Sequence, residues 1–243
     1  MRILIANDDG VYSPGIASLA AVASRFGDVR IVAPDVEQSS MGHAITHSRP
    51  IVARRTPIGE FDAWRVNGTP ADCVALGTHL WERVDLVLSG VNLGYNLGNS
   101  AWHSGTLAAA RQAALLGLRG IAFSTPTRGS EPDFAALEPW IARVLDLLIP
   151  EKELCLVNVN LPPEPTGLCW ARQSVRHYDG HVEPTQDPYG RKLYWLSVKA
   201  LEEVEEGTDR WTVRRGMVAM TPLRLDLTDG EALKTAKTRR PAE

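Results

Sequence analysis

At 243 residues, 44% of them hydrophobic and 23% charged, the chain has the composition of an ordinary globular protein and enough apolar material for one large domain or a domain with an appendage. No stretch approaches the ~20 consecutive apolar residues of a membrane-spanning helix, so no membrane partner is expected. A net charge of -3, with the arginine pairs scattered along the chain, offers no broad basic surface and argues against a nucleic-acid polymer as ligand.

The first residues enter an apolar run directly, without the basic start, long apolar region and small-residue cleavage site of a secretory signal, and a cytoplasmic protein is expected. The cysteines are Cys73, Cys155 and Cys169, none in a C-x-x-C pair and each among apolar neighbours. Buried free thiols are expected of them, rather than a disulfide or a zinc site.

In chain order, RILIA reads as a strand, GIASLAAVASRFG as a helix, DVRIVAP as a strand, PADCVALGTHLW as a helix, VDLVLSG as a strand, TLAAARQAALLG as a helix and GIAFST as a strand. The runs at 3-6, 29-33, 84-88 and 121-123 are almost continuously apolar, as strands covered on both faces must be. This pattern predicts a doubly wound α/β fold with a mainly parallel sheet. The interposed HAITHSRPIVARRTPIGEFDAWRVNGTP mixes short alternating runs with turn residues and reads as an extended or hairpin insertion. A helix is expected near 134-148 and a strand in LCLVNVNLP. From about residue 162 the character changes: CWARQSVRHYDG, RKLYWLSV and WTVRRGMVAMTPL read as β-like, separated by turn formers. The expected organisation is therefore an α/β domain over 1-161 and a β-rich hairpin extension over 162-243, which can return a strand to the main sheet. Its aromatic hairpins suit either a subunit contact or packing on their own domain. The polar tail from Asp229 reads as a short frayed end.

In parallel sheets ligands bind beyond the carboxyl ends of the strands, and three loops there carry candidate chemistry. Asp8 and Asp9 follow the first strand directly. Adjacent carboxylates repel each other, so either they cap a turn or a hard divalent cation lies between them. After the second strand, Ser39 and Ser40 in APDVEQSSMGHAIT offer hydroxyl oxygens, while His43 and His47 lack the helical context of a metal pair. The third loop, SGVNLGYNLGNSAWHSGTLAAA, repeats Asn-Leu-Gly and enters an alanine-rich helix through Ser104, Gly105 and Thr106. Free amides at such a helix start suit a phosphate, or simply form an ordinary N-cap. No lysine follows the glycine as in a Walker loop. His103 can protonate a leaving alkoxide or face solvent. A cation beside a phosphate pocket fits phosphoester hydrolysis; a non-catalytic nucleotide- or phosphate-binding module is the alternative.

At these residues the chain resembles the SurE family of stationary-phase survival proteins, metal-dependent 5'/3'-nucleotidases. The likeness runs through ILIANDDG with SPGI, APDVEQSSMGHAIT, VNGTPADCV, DLVLSGVNLGYNLG, SGTLAAA, HYDG, DPYG with YWL, and GTDRWTVRRGMVAMTPL, in that order. The resemblance implies a Rossmann-like domain with a β-rich C-terminal extension that assembles homodimers or homotetramers. It implies Asp8 and Asp9 as catalytic metal ligands joined by Ser39 and Asn92, with Mg²⁺, Mn²⁺ or Co²⁺ as cofactor. Asn96 and the Ser104-Gly105-Thr106 helix start would face the phosphate of a nucleoside 5'- or 3'-monophosphate, with Ser40 also on the substrate side. Gln38 and His103 depart from the family pattern.

Overall fold

The computed structural model describes residues 1-127, 129-176 and 178-239. The first part of the chain runs β1 (Arg2–Ala6), α1 (Pro14–Ala23), β2 (Asp28–Pro34), β3 (Ala53–Arg55), β4 (Asp62–Val66), α2 (Pro70–Leu80) and β5 (Leu86–Leu93). A short 3-10 helix (Gly98–Trp102), α3 (Gly105–Leu115), β6 (Gly120–Thr125), α4 (Phe134–Leu148) and β7 (Leu156–Asn160) complete the α/β pattern. The remainder comprises β8 (Gly167–Trp170), β9 (Tyr178–Gln186), β10 (Lys192–Ala200), α5 (Asp209–Arg214), β11 (Met217–Leu223) and α6 (Gly230–Thr238).

The apolar runs become the centre of a nine-stranded sheet ordered β3-β4-β2-β1-β5-β6-β7-β11-β8. Strands β4, β2, β1, β5, β6 and β7 are parallel. Alternate side chains of β1 enter opposite layers. Ile3 and Ile5 pack in a core with Ile16 and Leu19 of α1 and Ile141 and Leu145 of α4. Leu4 and Ala6 pack with Cys73 and Val74 of α2 and Ala109 and Ala113 of α3. Burial on both faces is why these strands lack polar alternation.

From β1 the sheet grows one way through β2 and β4 and the other way through β5, β6 and β7, so the order reverses at β1/β5. Connections on either side of such a reversal diverge and leave a crevice at the carboxyl ends of the strands. Asp8 and Asp9 leave β1 there.

The 43-70 segment forms β3 and β4, which pair antiparallel, but β4 also lies parallel against β2 and extends the main sheet. Both β8 and β11 join that sheet too, β11 antiparallel to β7. Among the described residues the hairpin β9–β10 pairs only with itself.

Three local expectations are corrected. The WTVRRG stretch is helical in α5, because Thr208 accepts a hydrogen bond from the Trp211 amide at 3.3 Å and Thr212 and Val213 are buried. The segment after Asp229 forms α6, with the Asp229 carboxylate accepting from the Glu231 and Ala232 amides at 3.1 and 2.9 Å; residues 240-243 of the expected frayed end lie outside the described residues. All three cysteines are free, but only Cys73 is buried; Cys155 is exposed and Cys169 half-buried, since the flanking loop and the edge strand β8 leave them uncovered. His177 of the HYDG motif also lies outside the described residues.

Candidate active site

The turn after β1 is built to present its acids. Gly10 has φ of 95°, a conformation that favours glycine, and its carbonyl accepts from the Asn7 side-chain amide at 2.9 Å. The loop after β2 is strapped to this turn: the Gln38 amide donates to the Asp8 carbonyl at 2.7 Å, and the Val11 amide to the Pro34 carbonyl at 2.9 Å. From the end of β5, the Leu93 amide donates to Asp9 Oδ2 at 3.2 Å. The three loops singled out in the sequence thus meet at one edge of the sheet.

Asp8 is buried and faces the start of α3. Burial pushes its pKa up, opposed by hydrogen bonds from the Thr106 hydroxyl and from the Thr106 and Gly105 amides. Gly105 is required for that approach, since a Cβ there would sit 2.8 Å from Asp8 Cβ and 3.0 Å from its Oδ2. Half-buried Asp9 is pushed up to about 7, chiefly by burial and then by the negative charges of Asp8 and Glu37, with the Leu93 amide opposing. Among the described residues neither acid forms an ion pair with a basic side chain. Two carboxylates are therefore forced together in a partly desolvated place with their mutual repulsion uncompensated.

This donor chemistry fits a hard divalent cation. No group of three or more His, Cys, Asp or Glu side chains suited to a metal occurs among the described residues, so further ligands at this edge would be neutral oxygens. Ser39 Oγ donates to Glu37 Oε1 at 2.6 Å, which leaves its lone pairs available. Asn92 commits its NH₂ group to the Gly94 carbonyl at 2.7 Å, which leaves its Oδ1 end for ligation. Asp9 and Ser39 line one cleft of about 610 Å³, together with Tyr12, Asp35 and Leu93.

The phosphate-side candidates divide. Gly105 and Thr106 are at the edge, with their amides turned toward Asp8. Ser104 spends its hydroxyl as the α3 cap, accepting from the Leu107 amide at 3.0 Å. Ser40 is exposed, with a positive φ of 62°. Asn96 is buried beneath the loop: its Nδ2 donates to Ser124 Oγ at 2.9 Å, and its carbonyl accepts from Asn158 Nδ2 at 2.8 Å. Exposed His103 ties two loops through its carbonyl, which accepts from the Gly42 amide at 2.9 Å. His43 is held by Gln112 at 2.9 Å.

Sequence reasoning missed two features. Tyr12, to which the sequence reading assigned no role, lines the cleft. Asp209 is fully buried and accepts from the Gly98 amide at 3.1 Å and from the Ser174 amide and hydroxyl at 3.0 and 2.6 Å, so the C-terminal segment holds the loop that precedes α3. The available signal was an acid directly after the Thr208 cap; polar Asn158 and Asn160 inside an apolar strand were a similar mark of a buried network.

Together these features define an α/β protein with an acidic ligand crevice at the topological switch of its sheet. The model of the family described as "Survival protein SurE" matches residues 3-180, and the chain belongs to that family. It is 48% identical over 235 residues to "5'-nucleotidase SurE 1" of Thermus thermophilus, covering 94% of this chain and 93% of that protein. It is 42% identical over 248 residues to "5'-nucleotidase SurE" of Geobacter metallireducens, covering 98% and 97%. The SurE protein from Aquifex aeolicus superposes with a TM-score of 0.85 at 38% identity, over 98% of this chain and 99% of that one. The resemblance read from the motifs is borne out.

Proposed function

We propose that this chain is a 5'-nucleotidase that hydrolyses nucleoside monophosphates to nucleoside and phosphate at the Asp8–Asp9 crevice, with 3'-monophosphates as further substrates. The observation that carries the reading is the acid pair, held together by the fold without a basic partner among the described residues, in a chain whose relatives bear the 5'-nucleotidase name. A divalent cation (Mg²⁺, Mn²⁺ or Co²⁺) held by Asp8, Asp9, Ser39 and Asn92 would supply positive charge for the phosphoryl oxygens.

The chain's own residues do the positioning. Asp8, clamped by the start of α3, is a rigid anchor. Asp9 on the cleft side accepts a hydrogen bond from a water and aims it at phosphorus. The water oxygen bonds to phosphorus as the P–O ester bond breaks; the water gives up one proton through the Asp9 carboxylate to solvent and the leaving alkoxide takes one from solvent, so that nucleoside and hydrogen phosphate result. Ser40 and the Ser104-Gly105-Thr106 turn lie on the substrate side; Asn96 supports that loop from below.

Assembly as a homodimer or homotetramer belongs to the same reading. Hairpin β9–β10 exposes Trp195 at 64% and Leu196 at 87%, apolar surface that a second subunit can cover. No helix among the described residues is long and apolar enough to cross a membrane. Three free cysteines support a reducing, cytoplasmic setting.

The test is phosphate release from a panel of nucleoside 5'- and 3'-monophosphates, with EDTA and with each cation added back. Release that EDTA stops and a cation restores is expected. A nucleotide that raises the melting temperature but yields no phosphate would replace this reading with that of a binding module.

A further inference from the structure

The acid pair accounts for the phosphate end of a substrate but not for the rest of the cleft. That cleft, about 610 Å³, falls within the roughly 300–1,000 Å³ typical of small-molecule sites. Its outer walls carry Tyr12 and Val36, both strongly exposed, at 63% and 60%. Beside them are the carboxylates of Asp35 and Glu37, and among the described residues no basic side chain lines the cleft. Such walls repel a second anionic group. They suit a flat apolar group and neutral hydroxyls that donate to the acids.

An aromatic ring left in water is unremarkable unless it is held in place. Tyr12 is held at both ends. Its backbone lies between Val11, fully buried in the core, and Pro14, the first residue of α1. Its hydroxyl is hydrogen-bonded to Thr56 Oγ1 at 3.1 Å, and Thr56 is itself anchored by its amide to the Ala63 carbonyl at 2.8 Å. The ring is thus ordered before any ligand arrives, and little conformational entropy remains to be lost when a planar group settles on it. Tyr12 is only three residues beyond Asp9, on the same cleft wall.

We infer that Tyr12 is the platform on which the nucleobase stacks, with the phosphate directed inward to Asp9, so that Tyr12 sets the preference for nucleotides over other phosphomonoesters. This deepens the nucleotidase reading and rests on it. Every base presents a π-face, so the platform is tolerant of base identity and selects for the presence of a base.

The experiment compares wild type, Tyr12→Phe and Tyr12→Ala on AMP and on ribose 5-phosphate, which keeps the sugar and phosphate but lacks the base. With AMP, Tyr12→Ala is expected to raise KM about tenfold and to leave kcat within about twofold, whereas its kinetics on ribose 5-phosphate stay at the wild-type level. Tyr12→Phe keeps the ring and is expected to stay close to wild type on both substrates. Equal losses on the two substrates, or no loss on AMP, would overturn the inference; so would a Tyr12→Phe variant as impaired as Tyr12→Ala, because the Thr56 bond would then be what matters. Adenosine binding, measured by calorimetry on the metal-free protein, gives a readout independent of turnover. It is expected to weaken about tenfold in Tyr12→Ala; unchanged binding, or none to the wild type, would also overturn the platform. A wild type that binds adenosine but releases no phosphate from any nucleotide would instead count against the nucleotidase reading alone.

Discussion

The carboxyl edge at β1/β5 and the β9–β10 hairpin solve opposite problems badly, each in isolation. The edge buries like charges that would be more comfortable in water, and the hairpin leaves in water the tryptophan and leucine that would be more comfortable buried. Neither can be explained by the stability of the isolated chain. An edge that holds charge against its own repulsion suits the ligand proposed above, and a self-paired ribbon with an apolar surface suits the proposed subunit contact. Local misfit is therefore informative when the surrounding structure enforces it.

The sharpest way to break this comparison is to relieve the edge. Asp9→Asn keeps the shape of the side chain and removes one of the repelling charges. Turnover of AMP is expected to fall by about a thousandfold or more, while the melting temperature in EDTA holds or rises by a few degrees. A folded mutant with near-normal turnover would remove the acid pair from the chemistry.

Asp209 of α5 ties the C-terminal segment to the loop before α3, and cutting that tie should be costly in another way. Asp209→Ala leaves the Gly98 and Ser174 amides without their buried acceptor. A loss of about 2–3 kcal/mol in urea unfolding is expected, together with reduced turnover because the 98-103 loop no longer holds the entry to α3 in place. Unchanged unfolding would show that this contact is not formed in solution.

A smaller effect is expected where the edge is braced rather than charged for function. Asp72 closes the capping box of α2. Burial opposes its ionisation, but hydrogen bonds from Thr46 and Thr69 outweigh that and hold its pKa below the ordinary 3.8. The sign follows from linkage: the stabilisation is fully present above the unfolded value near 3.8 and disappears as pH falls through the lower folded value. Melting curves of wild type and Asp72→Asn should differ at pH 6 and converge as the pH falls below 3.8 through the lower folded value; a constant gap would assign the difference to something other than the charge.

The least costly change to the folded chain should be on the hairpin. Trp195→Ser with Leu196→Ser removes exposed apolar surface and should alter the stability of the separate subunit by no more than about 0.5 kcal/mol. Sedimentation should nevertheless shift to the mass of one chain. Retained assembly would show that another surface joins the subunits.

Much of the α/β half was legible because its strands are apolar on both faces. The runs at 3-6, 29-33 and 121-123 fall within β1, β2 and β6, and the helix expected at 134-148 is α4. The beginning of the 84-88 run lies just ahead of β5, where Val84 packs beneath α2 without pairing. In the last third the same reasoning misread α5 as strand, because Trp, Thr and Val favour strands and only the Thr208 cap and the burial of Thr212 and Val213 decide for a helix. The acid pair was legible as well, since adjacent carboxylates after an apolar run are a local pattern. That the Asn96 amide would donate to Ser124 was not legible, because the partner is 28 positions away in the sequence.

The sequence by itself determined the layered sheet and the strand end from which the two acids emerge, because side-chain periodicity and turn chemistry act over a few residues. Only the tertiary structure decided that the sheet reverses at β1/β5, that Leu93, Ser39 and Tyr12 converge on Asp9, and that Asp209 reaches back to hold Gly98. Those outcomes depend on which distant segments pack together, and packing is settled by the whole core at once.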